Sequence, residues 1–342
     1  MKKIVGVIFF FLPAISMVTG QDIHFSLPEY APLALNPGLA GANNAMEGAI
    51  NYRNQWSSLG EPYKTLAASF YSRLPGRKKT QTNNFAVGLQ FMNDKAGLPG
   101  VASNSISLAV ADHVMISSAS KIGLGLNFGY VQRSIDQATG QWASQYDGSA
   151  FNPGSSSGEV FSNTSYGILD VGAGLVYTYQ HKQSTLAKSM DRFLSAGLSV
   201  VHVNRPNNSF IETGNDRLPL RYSAFANGEI AFGSTDVSVL PGFWYHRQGE
   251  FSQLMFGSSL RYKIVPETRY TGFIKPFSLT VGLFGRLKDA LVARLVVDYD
   301  RYAFGYSFDF NSSGLNAYTG GRGAQEFFLR FSLSDVQQIR SR

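Results

Sequence analysis

The sequence has no cysteine and is poor in charged residues, and each shortage excludes a class of protein. Without cysteine the chain has no disulfide framework and no thiol to which a lipid anchor could be attached. After the N-terminal apolar run, no stretch reaches the roughly 18 apolar residues of a transmembrane helix. Charged residues make up 15% of the chain, and no arginine-rich tract interleaved with aromatics is present. An inner-membrane helical protein, a lipoprotein and a nucleic-acid-binding protein are therefore disfavoured.

The N-terminus has the features of a secretory signal peptide. Lys2 and Lys3 precede an apolar run from Ile4 to Val18, and small residues follow it as a cleavage site. We predict that residues 1–20 are a cleaved signal peptide and that the mature chain starts at Gln21. Export leaves the periplasm and the outer membrane as locations. It also makes nucleic acid an implausible partner despite the formal charge of +7.

Aromatic residues and glycine are abundant, and they follow a period of two. The chain has 35 glycines, 26 phenylalanines and 17 tyrosines, which is typical of many aromatic strands joined by tight turns. From Tyr302 to Phe310 an aromatic residue stands at every second position, and the residues between them are small or polar. This alternation indicates strands with one apolar face. It fits both a soluble sandwich and a membrane barrel with a wet lumen.

Strand length and number favour the barrel. Most predicted strands exceed the roughly 5–6 residues of soluble strands and match the roughly 9–11 that cross a bilayer at a tilt. An even number of strands is also what bacterial barrels require. We predict an all-β, transmembrane antiparallel β-barrel of about fourteen strands in the outer membrane. The predicted strands are 45–55, 63–74, 83–93, 101–112, 119–132, 165–180, 190–204, 218–232, 235–247, 250–264, 274–287, 289–300, 301–311 and 325–333.

The lengths of the connections between the strands fit one orientation of the barrel in the outer membrane. Both termini of an even barrel lie in the periplasm, so the three longest predicted connections, 133–164, 205–217 and 312–324, lie outside the cell. The proline-rich segment 21–44 is unsuited to strand or helix, and we expect it to line or plug the lumen of the barrel at 45–333. Residues 334–342 would form a periplasmic tail.

Catalytic and metal-binding patterns are weak. None of the five histidines is spaced with another histidine or a carboxylate as in a metal site. With no cysteine, nucleophilic catalysis would need serine or threonine. We expect no enzyme activity, no cofactor and no metal, although a serine and a histidine meeting on adjacent strands of an outer-membrane hydrolase stay possible. His202, at a strand end, is expected to satisfy the barrel rim.

Several charged residues fall at positions predicted to face the lumen. They either select a solute or pair across neighbouring strands to fill a closed lumen, and pairing is favoured because an unpaired buried charge is costly. These residues are Asp170, Arg221, Glu229, Arg294, Asp298, Asp309, Glu326 and Arg330.

Six motifs occur in order across the mature chain, from Gln21 to about Leu333. They are Gln21-Asp22-Ile23-His24-Phe25-Ser26, the run from Ala31 to Gly41 with Asn36-Pro37-Gly38, Asn51-Tyr52-Arg53-Asn54-Gln55-Trp56, Pro62-Tyr63-Lys64-Thr65, Asp94-Lys95-Ala96-Gly97 and Tyr306-Ser307-Phe308-Asp309. Together they resemble the PorP/SprF family of type IX secretion membrane proteins.

The resemblance implies an outer-membrane component of type IX secretion in Bacteroidota that is not an enzyme. Members of the family assist the export or surface attachment of cargo, such as gliding adhesins, that carries a C-terminal targeting domain. Others are linked to periplasmic components of the machinery. A channel for small or hydrophobic solutes is the alternative. Outer-membrane lipid is the expected surrounding in either case.

The motif residues also have a physical interpretation. Asn36-Pro37-Gly38, with Gly41, is a ready turn that folds the N-terminal segment back before the first strand. Arg53, Gln55, Trp56 and Tyr63 fall at the outer end of the first strands, where aromatic side chains form a girdle.

Six outer positions are candidate partner contacts: Gln55, Trp56 and Tyr63 at the rim, and Arg53, Asp94 and Lys95 because of their charge. An arginine at the rim can clamp a partner carboxylate with two hydrogen bonds, so Arg53 is the main candidate. Asp94 and Lys95 are predicted in a charged external hairpin loop beside it.

Overall fold

A computed structural model describes most of the chain. The predicted signal peptide, residues 1–20, and the predicted tail, residues 334–342, lie outside the described residues. The described residues are 22–60, 62–74, 83–97, 100–136, 142–158, 164–181, 192–210, 216–232, 235–266 and 275–333.

Fourteen antiparallel strands close into a barrel, as the sequence predicts. Each strand pairs with its neighbour in the chain, and the first strand pairs with the last, so no strand lacks a neighbour on either side. The strands are β1 Met46–Gln55, β2 Tyr63–Arg73, β3 Asn83–Ala96, β4 Val101–Met115, β5 Ser120–Ser134, β6 Ser165–His181, β7 Arg192–Val201, β8 Arg221–Ala231, β9 Val237–Gln248, β10 Phe251–Val265, β11 Phe277–Arg286, β12 Ala290–Tyr299, β13 Tyr302–Asn311 and β14 Arg322–Leu333.

The period of two sorts the side chains between the two faces of the wall. In β13, Tyr302, Phe304 and Phe310 are exposed on the outside, while Ser307 and Asp309 are buried in the lumen. The same division holds around the barrel, because successive side chains of a strand point to opposite faces. The exposed apolar side chains form the surface that an outer membrane requires.

The two ends of the barrel differ in their connections. We call the end where β1 begins and β14 finishes the terminal end, and the opposite one the loop end. The longest connections, 135–164 and 202–220, lie at the loop end, as predicted. The third predicted long loop is shorter, at 312–321, because β14 begins at Arg322, and the terminal-end connection 266–276 exceeds it.

Helices are short in this structure. α1 is Pro32–Leu35, α2 is Asn316–Thr319, and three single 3-10 turns stand at Pro28–Tyr30, Pro37–Leu39 and Ala143–Gln145. Proline begins three of these turns because its fixed φ suits the first helical position. Within the described residues no helix is long and apolar enough to cross a membrane.

Residues Asp22–Ala45, which we call the luminal segment, run through the inside of the barrel. Asp22 contacts His202 and Gln248 at the loop end, whereas the backbone N–H of Ala45 donates to Leu333 at the terminal end. Leu27 between them is fully buried. Instead of being irregular, the segment folds into the three helical turns from Pro28 to Leu39.

The Asn36-Pro37-Gly38 motif turns the luminal segment against the wall. The side-chain oxygen of Asn36 accepts a hydrogen bond of 2.8 Å from the N–H of Gly38, and its amide nitrogen donates to the carbonyl oxygen of Leu198 at 2.9 Å. Gly41 has a φ of +73°, and its carbonyl oxygen accepts from Arg73 Nε at 2.6 Å. The motif therefore joins the segment to strands on both sides of the lumen.

Replacing Gly125 with alanine should strain the packing of the luminal segment. A Cβ there would lie 2.3–2.6 Å from backbone atoms of Pro37 and Gly38, closer than such atoms approach. We expect a loss of roughly 1–3 kcal/mol in the free energy of unfolding, as for other overpacked sites. It would appear as a lower urea midpoint in detergent and as faster hydrogen exchange in residues 22–45.

Gly129→Ala is the matched control for this substitution. Gly129 lies on the same face of β5, and its added Cβ would meet Ser107 Cβ at 3.3 Å, a contact that small movements relieve. Equal stability of the two alanine variants would contradict the close approach at Gly125.

Candidate functional site

The most concentrated charges of the barrel surround Ser26 near the loop end. Arg53 Nη2 lies 3.0 Å from Asp309 Oδ2, and Arg286 Nη1 lies 2.8 Å from the same oxygen. Arg53 Nη1 also reaches Glu326 Oε2 at 3.3 Å. The four charged side chains are no more than 2% exposed. We call these residues with Ser26 the Ser26 cluster.

Ser26 joins this cluster to the luminal segment through both its side chain and its backbone. Its hydroxyl donates to Asp309 Oδ1 at 2.7 Å and accepts from Arg286 Nη2 at 2.7 Å. The N–H groups of Ser26 and Leu27 donate to the two oxygens of Glu326 at 2.6 and 3.1 Å. Charges and hydrogen bonds are therefore closely matched, which is what burial of four charged groups requires.

Arg53 is consequently not at the rim, and the expectation that it clamps a partner's carboxylate there is wrong. Odd-numbered residues of β1 point inward, so Arg53 shares the luminal face with Glu47 and Asn51. The carboxylates it binds, Asp309 and Glu326, belong to the same chain. Arg53 does bind carboxylates. Because successive side chains of β1 alternate between the two faces, it points into the lumen and meets carboxylates of its own chain.

The other predicted contact residues divide between the two faces. Asp94 lies in β3, not in a loop, and its carboxylate faces inward and accepts from Thr65 Oγ1 at 2.6 Å. Gln55 is half-buried at the end of β1. Lys95 is exposed on the outer face, at the end of β3.

Trp56 and Tyr63 are brought together at the loop end. Their rings meet edge to face with centroids 5.2 Å apart, across the connection between β1 and β2. Tyr63 is exposed.

A second charged contact lies deeper in the lumen. Arg294 Nη1 binds Glu29 Oε1 of the luminal segment at 3.0 Å. Its guanidinium stands 3.7 Å from the ring centre of Phe284 and 5.1 Å from that of Trp244, which are cation–π distances. The aromatic rings compensate for part of the lost hydration of this buried cation.

The remaining luminal charges pair between strands near the terminal end. Arg261 Nη1 lies 2.6 Å from Glu229 Oε2, and Arg330 Nη2 lies 3.2 Å from Asp298 Oδ1. Each charge predicted to face the lumen is thus paired with another side chain of the wall or with the luminal segment, as the closed-lumen interpretation requires. Arg221 Nη1 lies 3.6 Å from Asp22 Oδ2 of the luminal segment.

His202 fastens the start of the luminal segment at the loop end. Its Nε2 lies 2.6 Å from Asp22 Oδ2, and its Nδ1 lies 2.8 Å from Asp170 Oδ1. Burial alone would lower the pKa of His202, but the hydrogen bonds to Asp170 and Asp22 outweigh it and raise the pKa to about 9. Burial would raise the pKa of Asp22, yet the hydrogen bond and charge of His202 hold it below its usual value.

Metal-binding arrangements are not found in the part of the chain that the structure describes. No group of three histidine, cysteine or acidic side chains there is placed to hold a metal ion. The letters from Gly154 to Gly158 match the G-x-S-x-G pattern of hydrolases, but they lie in an exposed loop, where the pattern needs a strand followed by a helix.

Sequence reasoning missed the polar residues of the luminal segment that bind the wall. Asp22, Ser26 and Glu29 stand among apolar residues, and each meets a charged side chain of the lumen. Isolated polar residues in an apolar, proline-rich stretch could have indicated these contacts. Their partners lie far away in the chain, so no spacing pattern names them.

Comparisons with known proteins give a family but no close relative. A family model described as type IX secretion system membrane protein PorP/SprF matches residues 18–331. No curated protein matches significantly.

Matches among solved structures are remote. The chain is 8% identical to CdiB from Escherichia coli, with a TM-score of 0.43 over 84% of this chain and 63% of that one. It is 9% identical to a FadL homologue of Pseudomonas aeruginosa, with a TM-score of 0.43 over 86% and 91% of the two chains. BamA from Haemophilus ducreyi is 8% identical, with a TM-score of 0.43 over 85% and 70%.

Substituting Arg53 by methionine should strongly destabilise the barrel. The change leaves Glu326 buried without its cation, and removing one member of a buried ion pair costs roughly 3–5 kcal/mol. The urea midpoint of the purified protein in detergent measures the loss. Lys95→Met is the control, because Lys95 is exposed and its charge is solvated. Adding Glu326→Gln to Arg53→Met should recover part of the stability, and a further loss would contradict the pairing.

The contact of His202 with Asp22 should weaken in alkali. Because the pKa of His202 is raised from 6.5 to about 9, its contribution is complete below about pH 6.5 and is lost as the pH rises through about 9. We expect the unfolding temperatures of the wild type and His202→Gln to differ at pH 6 and to converge above pH 9. A difference that stays constant from pH 6 to 10 would rule out this role of the imidazolium.

Proposed function

Because the chain belongs to the PorP/SprF family of type IX secretion system membrane proteins, we propose that it assists protein secretion by holding cargo at the cell surface. In this proposal the protein is not an enzyme and does not conduct cargo through its own lumen. It is an outer-membrane barrel, so its loop end faces the cell exterior.

The filled lumen is the observation that carries this proposal. The luminal segment crosses the barrel from Asp22 to Ala45, and the buried Ser26 cluster binds it near the loop end. An extended polypeptide could enter only if these charges were first separated, at a high cost in free energy. Cargo contact from outside the lumen requires no such change.

The partners follow from the family and from the exposed surface. Secreted proteins with a C-terminal targeting domain, including gliding adhesins, are the proposed cargo, and periplasmic components of the machinery are the proposed partners at the terminal end. At the loop end we propose Trp56 and Tyr63 as cargo contacts, with the inward-pointing, half-buried Gln55 beside them. Tyr63 is exposed and Trp56 is half-buried against it. Aromatic side chains are frequent anchors of protein interfaces.

A disulfide between the luminal segment and the wall distinguishes a barrel that holds cargo at the surface from one that conducts cargo through its lumen. A Cβ built on Gly174 lies 2.7 Å from Asn36 Cγ, so Asn36→Cys with Gly174→Cys brings two thiols within bonding reach. The chain has no other cysteine. We expect a deletion strain to lose surface display of at least one type IX cargo, and the oxidised double variant to restore it. Surface proteomes measure both results.

The controls are the two single-cysteine variants and the double variant after reduction. If cargo display returned only after reduction of the disulfide, the luminal segment would have to move during secretion. The proposal that the barrel holds cargo without conducting it would then be wrong. Unchanged surface and secreted proteomes in the deletion strain would contradict a secretion role altogether.

The proposed cargo contact is tested by Trp56→Ala with Tyr63→Ala. We expect cargo display to fall by more than tenfold at unchanged amounts of barrel, since two aromatic anchors that contribute about 2 kcal/mol each exceed the roughly 1.4 kcal/mol of one factor of ten. Phe232→Ala with Ile264→Ala removes exposed apolar side chains near the terminal end and is the matched control. Equal display by both double variants would exclude this rim as the contact.

A further inference from the structure

The wall of the barrel has a step between β6 and β7 at the loop end. β6 has 17 residues, whereas β7 has 10. The two strands pair toward the loop end only as far as Ala173 opposite Val200, but on its other side β6 pairs with β5 as far as Ser165. Residues 165–172 therefore extend beyond the last pair with β7.

The chain leaves the wall just after β7. His202 has a φ of +61°, which ends the extended backbone. The N–H of Val203 still donates to the carbonyl oxygen of Val171 at 2.9 Å. The side-chain amide of Asn204 then accepts from the N–H of Val171 at 3.2 Å and donates to the carbonyl oxygen of Leu169 at 2.7 Å. Asn204 thus takes the place of one peptide group of a strand.

Beyond Asn204, β6 has main-chain groups without a partner. Val171 directs its N–H and C=O toward the side of β7, and every second residue of a strand shares this direction, so Leu169 and Gly167 do the same. Among the described residues, none on that side bonds to the N–H of Leu169 or to the N–H and C=O of Gly167. Both residues are exposed.

The described part of the connection after β7 does not cover these groups. Its residues bond to one another, with the N–H of Asn208 donating to the carbonyl oxygen of Asp216 at 2.7 Å. Asn208 Oδ1 also accepts from the hydroxyl of Tyr166 at 2.7 Å, and the rings of Phe210 and Tyr166 meet edge to face. Even-numbered side chains of β6 point into the lumen, so these contacts lie on its inner face and leave its edge open.

Strand length places the open edge above the bilayer. At about 3.3 Å per residue and a tilt of about 40°, a strand rises roughly 2.5 Å per residue along the membrane normal. The 10 residues of β7 therefore span about 25 Å, the height of the apolar band of such barrels. The edge begins where β7 ends, so it lies on the exterior side, where water solvates main-chain groups that a bilayer would not tolerate.

An open edge of this kind is a template for another strand. Proteins usually protect such edges with charged side chains or a covering segment. Here the outward side chains beside the edge are apolar, and Leu169 and Val203 are 68% and 49% exposed. An extended peptide would both bond to the free N–H and C=O groups and cover these two side chains.

We propose that residues 165–169 of β6, which we call the β6 edge, bind an extended segment of exported cargo as an added strand above the end of β7. This inference rests on the proposed secretion function. Main-chain hydrogen bonds supply the affinity in such an arrangement, and alternate side chains supply the specificity. The cargo segment therefore needs an apolar residue beside Leu169 and no proline at the positions that pair with the edge. Because the β6 edge is four strands away from β2, it is separate from the contact at Trp56 and Tyr63.

A second copy of this chain fits the β6 edge poorly. Two barrels that stand upright in one membrane face each other with their outer walls, so their tilted strands cross at about twice the tilt, roughly 80°. Paired strands are rotated by only about 20–25° relative to one another. A segment of cargo has no such restriction, and the β6 edge lies on the side of the membrane where cargo is displayed.

A photoreactive group on Val203 tests the occupant directly. The chain has no cysteine, so Val203→Cys accepts a single benzophenone maleimide. The variant replaces the wild-type barrel in intact cells, which are then irradiated. We expect mass spectrometry to identify a cross-link to a secreted protein that has a C-terminal targeting domain.

Leu169→Pro in the Val203→Cys background tests the main-chain contact. Proline removes the N–H that faces the open side and leaves the bonds to β5 and Asn204, as is tolerated on an edge. We expect the cross-link to fall at least fivefold, because a donor is lost and the ring prevents close approach of a strand. Leu169→Ala is the matched control. It removes the same side chain but keeps the N–H, so its cross-link should stay within twofold.

Heat-modifiable migration on gels verifies that each variant is folded. The absence of a cross-link to cargo, or cross-links between two copies alone, would overturn the proposal. Equal losses in Leu169→Pro and Leu169→Ala would assign the contact to the side chain and exclude an added strand.

Cargo display in the deletion strain separates this inference from the proposed function. If the deletion strain lost display and Leu169→Pro restored it as fully as the wild type, the β6 edge would be excluded while the secretion role stood. If the deletion strain kept full display, the secretion role itself would be wrong. We expect wild type and Leu169→Ala to restore display and Leu169→Pro to restore at most a fifth of it.

Discussion

Closure of the sheet is the constraint on which the rest of the structure depends. In a bilayer every backbone N–H and C=O must be paired within the protein, and a closed barrel meets this requirement with strands. The pairing of β1 with β14 completes the ring. Closure divides the side chains strictly into an outer and an inner set, because their period along a strand is two. The outer set can be apolar, whereas the inner set must fill or line a lumen.

Charged side chains that fill the lumen lose their hydration, and the luminal segment supplies part of the partners that compensate for this loss. Charged side chains from distant strands converge inside the barrel, and each needs a partner there. Ser26 and Glu29 supply hydrogen bonds and charge where strand-to-strand pairs alone are insufficient. The segment also brings Leu35 and Leu39 into an apolar cluster with Trp244. Ion pairs and apolar packing thus act together to hold the segment in the lumen.

The fold was predictable from local patterns, whereas the site was not. Alternation of aromatic and small residues, as from Tyr302 to Phe310, indicates strands, and strand length distinguishes a bilayer from a soluble sandwich. Arg53 illustrates the limit. Its position in β1 was predicted, but its partners Asp309 and Glu326 lie on strands that meet β1 only when the ring closes. The contacts that form when the ring closes join residues far apart in the chain, so no short-range spacing in the sequence predicts them.

The path of the luminal segment through the barrel limits how the segment can be withdrawn. Asp22 lies at the loop end, but the chain enters β1 at Met46, at the terminal end. Withdrawal toward the terminal end would need separation of the Ser26 cluster and of Arg294 from Glu29, contacts that are almost fully buried on the wall side. Withdrawal of the luminal segment is therefore coupled to the separation of buried ion pairs, which is costly in free energy because each separated charge would stay buried without a partner.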